Sequence, residues 1–102
     1  MIFRGTTPVI MLKINNKDFD AADIAVCHIT IENESGRNQK IFPASIDTET
    51  KILSAELTQE DTLSFEKGYI YIQAKIKLNN DRVITHDALR VQLKDILEQE
   101  TI

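Results

Sequence analysis

Polar and apolar residues alternate strictly along residues 68–78, GYIYIQAKIKL. The apolar positions are Ile70, Ile72, Ala74, Ile76 and Leu78. Because successive side chains of a β-strand point to opposite faces, a period of two predicts a strand with one buried and one solvated face. At about 3.3 Å per residue the segment would span roughly 35 Å, about twice an ordinary strand. We therefore expect the other segments to pair beside this strand or to pack across from it.

Residues 8–14 predict an earlier strand whose two faces are both mostly apolar. One face carries Ile10, Leu12 and Ile14, and the other carries Val9, Met11 and Lys13. Two apolar faces indicate a strand that is covered on both sides, or one whose outer face meets a partner. Residues 1–5 are expected to lead into this strand, and residues 15–23 to form a polar loop anchored by Phe19.

Residues 24–32 predict a second long strand, followed by a hairpin. Its better core face carries Ala25, Cys27, Ile29 and Ile31. Ile24 is out of phase with that face, which indicates a bulge or the start of the strand. Residues 33–36 are a turn signal in which Gly36 can take a positive φ. The chain then returns through residues 37–42, and Pro43 ends that arm or places it at a sheet edge.

The middle of the chain predicts a strand and a single helical turn. After a turn at residues 47–50, the inward residues of a strand over residues 51–57 are Leu53, Ala55 and Leu57. Thr58 followed by Asp61 resembles a capping arrangement, with acidic groups near the positive end of a helix. We expect one helical turn over residues 59–63, with Leu63 and Phe65 in the core.

The C-terminal third predicts a hairpin and a last strand. Residues 79–81 close the hairpin, because Asn and Asp tolerate the left-handed backbone region. The last strand, residues 83–93, is expected to place Leu89, Val91 and Leu93 inward. A helix over residues 89–99 is the competing interpretation, and residues 94–102 stay open between strand, helix and disorder.

Six or seven strands, closely spaced turns and the lack of a long 3.6-residue period predict an all-β fold. We expect a single antiparallel, immunoglobulin-like β-sandwich with one short helical turn near residues 58–63. The length of 102 residues fits one domain spanning residues 1–102.

Charge and composition narrow the classes of partner. The net charge is −4 and Lys and Arg form no run, whereas nucleic-acid binding needs a concentrated basic surface. No apolar run approaches the roughly 20 residues of a membrane span. The single cysteine excludes an intramolecular disulfide and fits synthesis in a reducing cytoplasm. We predict no nucleic-acid partner, no membrane partner and no cofactor.

Two histidine-containing pairs are weak candidates for nucleophilic catalysis. Cys27 and His28 are adjacent, and adjacent strand residues point to opposite faces, so the two side chains cannot share a hydrogen bond. A buried structural cysteine beside an exposed histidine is the favoured interpretation. His86 and Asp87 fail as a dyad for the same geometric reason.

Candidate metal and acid sites are equally weak. Zinc held by His28 and His86 would need two more ligands. Asp18, Asp20 and Asp23 form an acidic loop that lacks the glycine and the distant glutamate of an EF-hand. The Glu60–Asp61 pair is explained by its place in a helical first turn. With no phosphate-binding loop and no nucleophile motif, we predict a protein that is not an enzyme, with no catalytic, cofactor-binding or metal-binding residues.

The solvated face of the long strand is a candidate partner surface. It carries Tyr69 and Tyr71, and tyrosine is enriched at interfaces because it supplies a large area at a small entropic cost. Two tyrosines on a strand are also ordinary sheet formers. Together with Val9 and Met11 of the first strand, these tyrosines are the predicted partner contacts.

Three stretches also carry a resemblance: FRGTTP at residues 3–8, LTQEDTL at residues 57–63 with Phe65 and Gly68, and Gln73 followed by the closing hairpin. Over nearly its whole length the chain resembles small proteins encoded among the tail genes of phages and prophages of Gram-positive bacteria. It is more loosely similar to the N-terminal β-sandwich of phage baseplate upper proteins.

The resemblance implies a non-enzymatic virion structural or tail and baseplate assembly protein. Its implied partners are other tail or baseplate proteins, with homo-oligomers possible, and its implied location is the virion tail after synthesis in the bacterial cytoplasm. The alternative hypothesis is a β-sandwich module that binds carbohydrate or the host surface through Tyr69 and Tyr71.

Overall fold

The computed structural model describes residues 2–13, 21–85 and 88–95, and most of these residues lie in strands. The strands are β1 Ile2–Phe3, β2 Val9–Lys13, β3 Ile24–Asn33, β4 Gln39–Pro43, β5 Ser45–Asp47, β6 Ile52–Glu56, β7 Gly68–Leu78, β8 Val83–Thr85 and β9 Leu89–Lys94. One α-helix, α1 Gln59–Ser64, and one 3-10 turn, Ala21–Asp23, complete the described elements. The all-β prediction is confirmed.

The strands form two sheets. The six-stranded sheet has the order β1-β9-β7-β3-β4, with β8 also beside β7, and the three-stranded sheet has the order β2-β6-β5. The described residues thus contain nine strands rather than six or seven: β1 and β5 are additional strands, and the predicted last strand is divided into β8 and β9. β1 and β9 pair in parallel, so the larger sheet is mixed and not wholly antiparallel. Residues 2–3 are therefore a strand of their own, not only a lead-in.

β7 lies inside the six-stranded sheet and spans the predicted residues. It pairs with β3 along one edge, and with β9 and then β8 along the other. Its apolar residues are all buried: Ile70, Ile72, Ala74, Ile76 and Leu78. The prediction for this strand is confirmed in both bounds and orientation.

The predicted last strand is two strands, because β7 is long enough to hold two partners on one edge. β8 pairs with residues 75–77 and β9 with residues 68–72. Leu93 is buried and Val91 is half-buried, as expected, but Leu89 is exposed. β1 flanks β9 only at its C-terminal end, so β9 is itself the sheet edge at Leu89.

A β-bulge sets the phase of β3. Ile24 lies opposite Leu78 and Val26 lies opposite Lys77, which leaves Ala25 without a partner. The extra residue returns Ile24 to the core face, where it packs against the buried cluster. The predicted bulge is confirmed, whereas the inward orientation predicted for Ala25 is wrong because Ala25 is the bulged, exposed residue.

The buried residues of both sheets form one cluster. The three-stranded sheet contributes Ile10, Leu12, Leu53 and Ala55, and the six-stranded sheet contributes residues of β3, β4, β7 and β9. Burying one isoleucine or leucine side chain in such a cluster contributes about 1.5–3 kcal/mol. The two inner faces therefore share the core, and the alternate side chains of each sheet point away from it.

The helical turn has the predicted cap. The Thr58 hydroxyl accepts a hydrogen bond from the Asp61 backbone N–H at 3.1 Å, and the Asp61 carboxylate accepts one from the Thr58 N–H at 2.8 Å. Phe65 is buried as predicted, but Leu63 is only half-buried and Thr62 takes the buried position. The predicted turn at residues 33–36 is confirmed, and Gly36 has the expected positive φ, 76°.

Pro43 is the last residue of β4, which is an edge strand of the six-stranded sheet, as expected. The remaining predictions lie outside the described residues; they concern Ile14, Asp18, Phe19, Asp20, His86, Asp87 and residues 96–102. The competing helix is excluded for Leu89–Lys94, which is β9.

Candidate functional site

The outer face of the six-stranded sheet holds the first predicted pair, Tyr69 and Tyr71. Tyr69 is 38 % exposed and Tyr71 is half-buried. The Arg90 guanidinium carbon lies 3.5 Å from the centroid of the Tyr69 ring, a cation–π contact. Arg90 also donates to the Glu34 carboxylate at 3.1 Å. One face of the Tyr69 ring is thus covered by a cation that is itself held by an acid.

The neighbours of Arg90 stabilise its protonated form. Desolvation lowers the pKa of Arg90, while its hydrogen bond to Glu34 and the nearby negative charge raise it, and the net shift is upward. The cluster of Glu34, Arg90 and Tyr69 therefore presents an internally balanced charge, not a free cation.

The opposite end of the same face forms a shallow groove of about 250 Å³. Val26 and Val83 line it, with Lys75, Lys77 and His28 alongside. Both valines are about half exposed, 44 % and 50 %. A groove with an apolar floor and two lysines at its border is complementary to a partner segment that combines apolar side chains with an acidic side chain.

Ile41 is a further exposed apolar residue on the same face, on the edge strand β4. It is 62 % exposed and lies opposite Thr30, which in turn lies opposite Gln73 of β7. A contiguous exposed apolar area marks an interaction surface, and the two valines that line the groove form such an area. Ile41 and the valine groove together are called the outer apolar face below.

The second predicted pair, Val9 and Met11, lies on the other sheet. Both side chains point away from the core and are 50 % and 62 % exposed. β2 is an edge strand, so these residues border an open side of the three-stranded sheet. The structure therefore places the four predicted contacts on two separate surfaces and not on one.

The backbone of β2 presents hydrogen-bonding groups to that open side. Leu57 N–H donates to Pro8 C=O at 3.0 Å, and hydrogen-bonded pairs alternate in an antiparallel ladder. The backbone groups of Ile10 and Leu12 thus point to β6. Those of Val9, Met11 and Lys13 point away, where the described part of the chain offers no strand.

Arg4 is a structural residue that the sequence interpretation missed. Its guanidinium donates to the carbonyls of Leu63 and Phe65 at 3.0 and 2.9 Å and pairs with Asp95 at 2.8 Å. A cation at the last carbonyls of α1 is favoured by the orientation of the helix dipoles. Arg4 thereby joins the N-terminal segment to the end of α1.

The FRGTTP and LTQEDTL stretches contact each other directly. The Thr62 hydroxyl donates to the Thr6 carbonyl at 2.9 Å, and Arg4 bonds the Leu63 carbonyl. In this structure both stretches hold the fold together.

Asn33 is the second missed residue, and it is 3 % exposed. Its amide donates to Glu66 C=O at 2.9 Å and its carbonyl accepts from Glu66 N–H at 3.1 Å. Asn38 donates to the same oxygen. A signal was present, because Asn33 continues the inward phase of Ile29 and Ile31. We call Arg4, Asn33 and Thr62, which hold residues 62–66, the polar junction.

Cys27 and His28 lie on opposite faces of β3, as predicted. Cys27 is buried and its thiol donates to Ala44 C=O at 3.1 Å. Burial raises the pKa of the Cys27 thiol, which disfavours the nucleophilic thiolate. Among the described residues no three His, Cys, Asp or Glu side chains are grouped as metal ligands would be.

Comparison with protein-family models gives no match, and comparison with curated proteins gives none either. Within the described ranges, no helix has the length and apolar character needed to cross a membrane. Function is therefore inferred from the surfaces described above.

Proposed function

We propose that this protein is a non-enzymatic structural or assembly component of a phage or prophage tail or baseplate. It would act by binding other tail subunits and would reside in the virion tail. The observation that carries the proposal is the outer apolar face, on which Val26, Ile41 and Val83 are each 44 % exposed or more. The resemblance of residues 3–8 and 57–63 to tail-region proteins supplies the class of partner.

We further propose that the two sheets form an immunoglobulin-like sandwich. Three features support this arrangement: the shared core of both sheets, the passage of the chain from β4 to β5 at Ala44, and the separate sheets of β1 and β2. A sandwich leaves two outer faces and several edges for contacts, which suits a subunit bound by more than one neighbour.

The chemistry of the outer apolar face favours a protein partner. Its apolar residues lie beside Lys75, whose amine has no ion pair within the described ranges. A partner segment with apolar residues and an acid would bury the valines and pair with that lysine. Such a contact derives its free energy from apolar burial and its orientation from charge.

The test is co-purification and light scattering with the products of the neighbouring genes. We expect a defined complex with the wild type and at least a tenfold weaker one with Val26→Ser, Ile41→Ser and Val83→Ser combined. Leu89→Ser is the control, since Leu89 is as exposed as Val26 but lies off this face. A complex unaffected by the triple variant, or the absence of any complex, would overturn the proposal.

The alternative is binding of carbohydrate or the host surface through Tyr69 and Tyr71. Their place on one face supports it, but Arg90 already covers one of the two faces of the Tyr69 ring, which leaves less of that ring for stacking against a sugar. Glycan-array binding that disappears in the Tyr69→Ala, Tyr71→Ala double variant would favour this alternative over the tail proposal.

A further inference from the structure

The open edge of β2 is complementary to itself. Val9, Met11 and Lys13 each present one N–H and one C=O to the open side, as the pairing with β6 requires. An antiparallel second copy centred on Met11 would place Met11 opposite Met11 and Val9 opposite Lys13. The three N–H and three C=O groups of each copy would then pair with those of the other copy, and the dimer would contain six hydrogen bonds between the strands.

We propose that two copies of this chain associate by pairing their β2 strands antiparallel, in the register centred on Met11. The resulting sheet would have the order β5-β6-β2-β2-β6-β5 across a twofold axis. The proposal goes beyond the tail function, because it concerns a second copy of the same chain and is measured on the protein alone.

The inner side chains fit this register. Ile10 of one copy would lie beside Leu12 of the other, and both residues are buried in the core of their own copy. The apolar inner face would therefore continue across the axis without a polar interruption. On the outer side, Met11 would pack against Met11, which removes the most exposed apolar side chain of β2 from water.

Charge complementarity supports the same register. Glu56 lies opposite Val9 in the β2–β6 pair of each copy. In the proposed register Lys13 of the second copy lies on the other side of Val9, so the three outward side chains form one row across the strands. Strands are about 4.8 Å apart, which puts Lys13 and Glu56 of the other copy roughly 10 Å apart at the backbone, within reach of the two side chains. Neither residue has an ion pair within the described ranges, and the symmetry supplies two such pairs.

The edge of β4 offers a less complete ladder. Ala44 N–H donates to Cys27 C=O, so Gln39, Ile41 and Pro43 present their backbone to the open side of β4. Pro43 has no N–H, and each copy of β4 would therefore leave one acceptor unpaired. β2 carries no such interruption, which is why we assign the self-association to β2.

The size of the contact sets its strength. Five residues per copy form a small interface, below the roughly 1,200 Å² of standard stable complexes. We expect a dimer that dissociates on dilution in the micromolar range, about 10⁻⁶ to 10⁻⁴ M.

Disulfide trapping tests the register in a Cys27→Ala background. Met11→Cys should cross-link with itself on mild oxidation, because directly opposite Cα atoms lie about 5.5 Å apart. Val9→Cys alone and Lys13→Cys alone should not, since each lies about 13 Å from its own copy in this register. A mixture of those two variants should cross-link. Similar cross-linking at all three positions, or none at Met11→Cys, would overturn the proposal.

Exchanging the charges of Lys13 and Glu56 tests the same β2–β2 register without introducing cysteine. Lys13→Glu should weaken the dimer about fivefold in sedimentation equilibrium, and adding Glu56→Lys should restore it. A Lys13→Glu variant that dimerises as well as the wild type would contradict the assigned register. Binding of tail proteins can fail while these results hold, so the two proposals are tested separately.

Discussion

The polar junction and the β2 edge use hydrogen-bonding groups in opposite ways. At the junction Arg4, Asn33 and Thr62 bond backbone groups more than 30 positions away in the sequence. At the edge, the outward N–H and C=O groups of Val9 and Met11 face no strand within the described ranges. The polar groups of the junction are hydrogen-bonded within the chain, whereas the outward backbone groups of the β2 edge are free to bond another strand.

The difference separates the residues that we expect to serve stability from those that we propose to serve association. A buried polar group that loses its partner destabilises the fold, whereas an exposed edge group keeps its hydrogen bonds to water. Substitutions at the junction should therefore change unfolding, and substitutions at the edge should change assembly. The predictions below test that division.

Among the substitutions of polar residues, Asn33→Ala should have the largest effect. It leaves the N–H and C=O of Glu66 without their partners, and we expect a loss of about 2–3 kcal/mol in the free energy of unfolding. Urea denaturation followed by circular dichroism measures it. Asn79→Ala, at an exposed position after β7, is the control and should change stability by less than about 0.5 kcal/mol. Equal stability of the two variants would contradict the role of the junction.

Arg4→Lys should lower the free energy of unfolding by about 1–2 kcal/mol, because an ammonium cannot reproduce the planar fork that reaches two carbonyls and a carboxylate. Thermal denaturation gives the comparison with Arg37→Lys, an exposed arginine in the β3–β4 turn. If both variants have the melting temperature of the wild type, the guanidinium contacts of Arg4 contribute nothing to stability.

Thr58→Ala removes the side-chain half of the capping box and should cost about 1 kcal/mol. Thr48→Ala, at an exposed turn position, is the control. Hydrogen exchange at the first N–H groups of α1 should accelerate in Thr58→Ala alone. Unchanged exchange in that variant would show that the cap does not hold this turn.

Cys27 predicts a pH dependence. Burial raises the pKa of the folded thiol, so its contribution to stability is complete below the unfolded pKa, about 8.5, and is lost as pH rises through the folded pKa. As pH rises above about 8.5, the free energy of unfolding should therefore fall more steeply in the wild type than in Cys27→Ala. Parallel pH profiles for the two proteins would rule out this contribution.

Met11→Thr should have the smallest effect on the monomer, within about 0.5 kcal/mol, because the side chain is exposed. Measurement at a concentration below the dimer range isolates the monomer. Its neighbour Leu12→Ala, buried in the same strand, should lose about 3 kcal/mol. A similar loss in both variants would mean that the outer side of β2 is packed within one chain.

Local patterns predict the elements well and the candidate surfaces only in part. The alternation in β7 and the Thr58–Asp61 cap needed no distant partner, so both were readable from adjacent residues. Local patterning places Asn33 in a turn, because its partner, Glu66, is remote in sequence. Leu89 was assigned inward because the sequence does not reveal that β1 stops short of it.

The candidate surfaces show the same limit. Val9, Met11, Tyr69 and Tyr71 were all correctly expected on outward strand faces. Their division between two sheets was not predicted, and neither was the Arg90 contact that covers Tyr69. Ile41, Val26 and Val83 were not selected, because no local pattern shows which strands share a face.

The sequence by itself determined which side of each strand is apolar, where the helical turn begins and where the chain reverses. These properties follow from side-chain direction and backbone preference over a few residues. The tertiary structure decided that one edge of β7 holds two strands, that β1 and β2 join different sheets, and that the β2 edge stays open in the described part of the chain. Strand partners and register depend on contacts between distant segments, and every strand offers two edges that local patterning leaves equivalent.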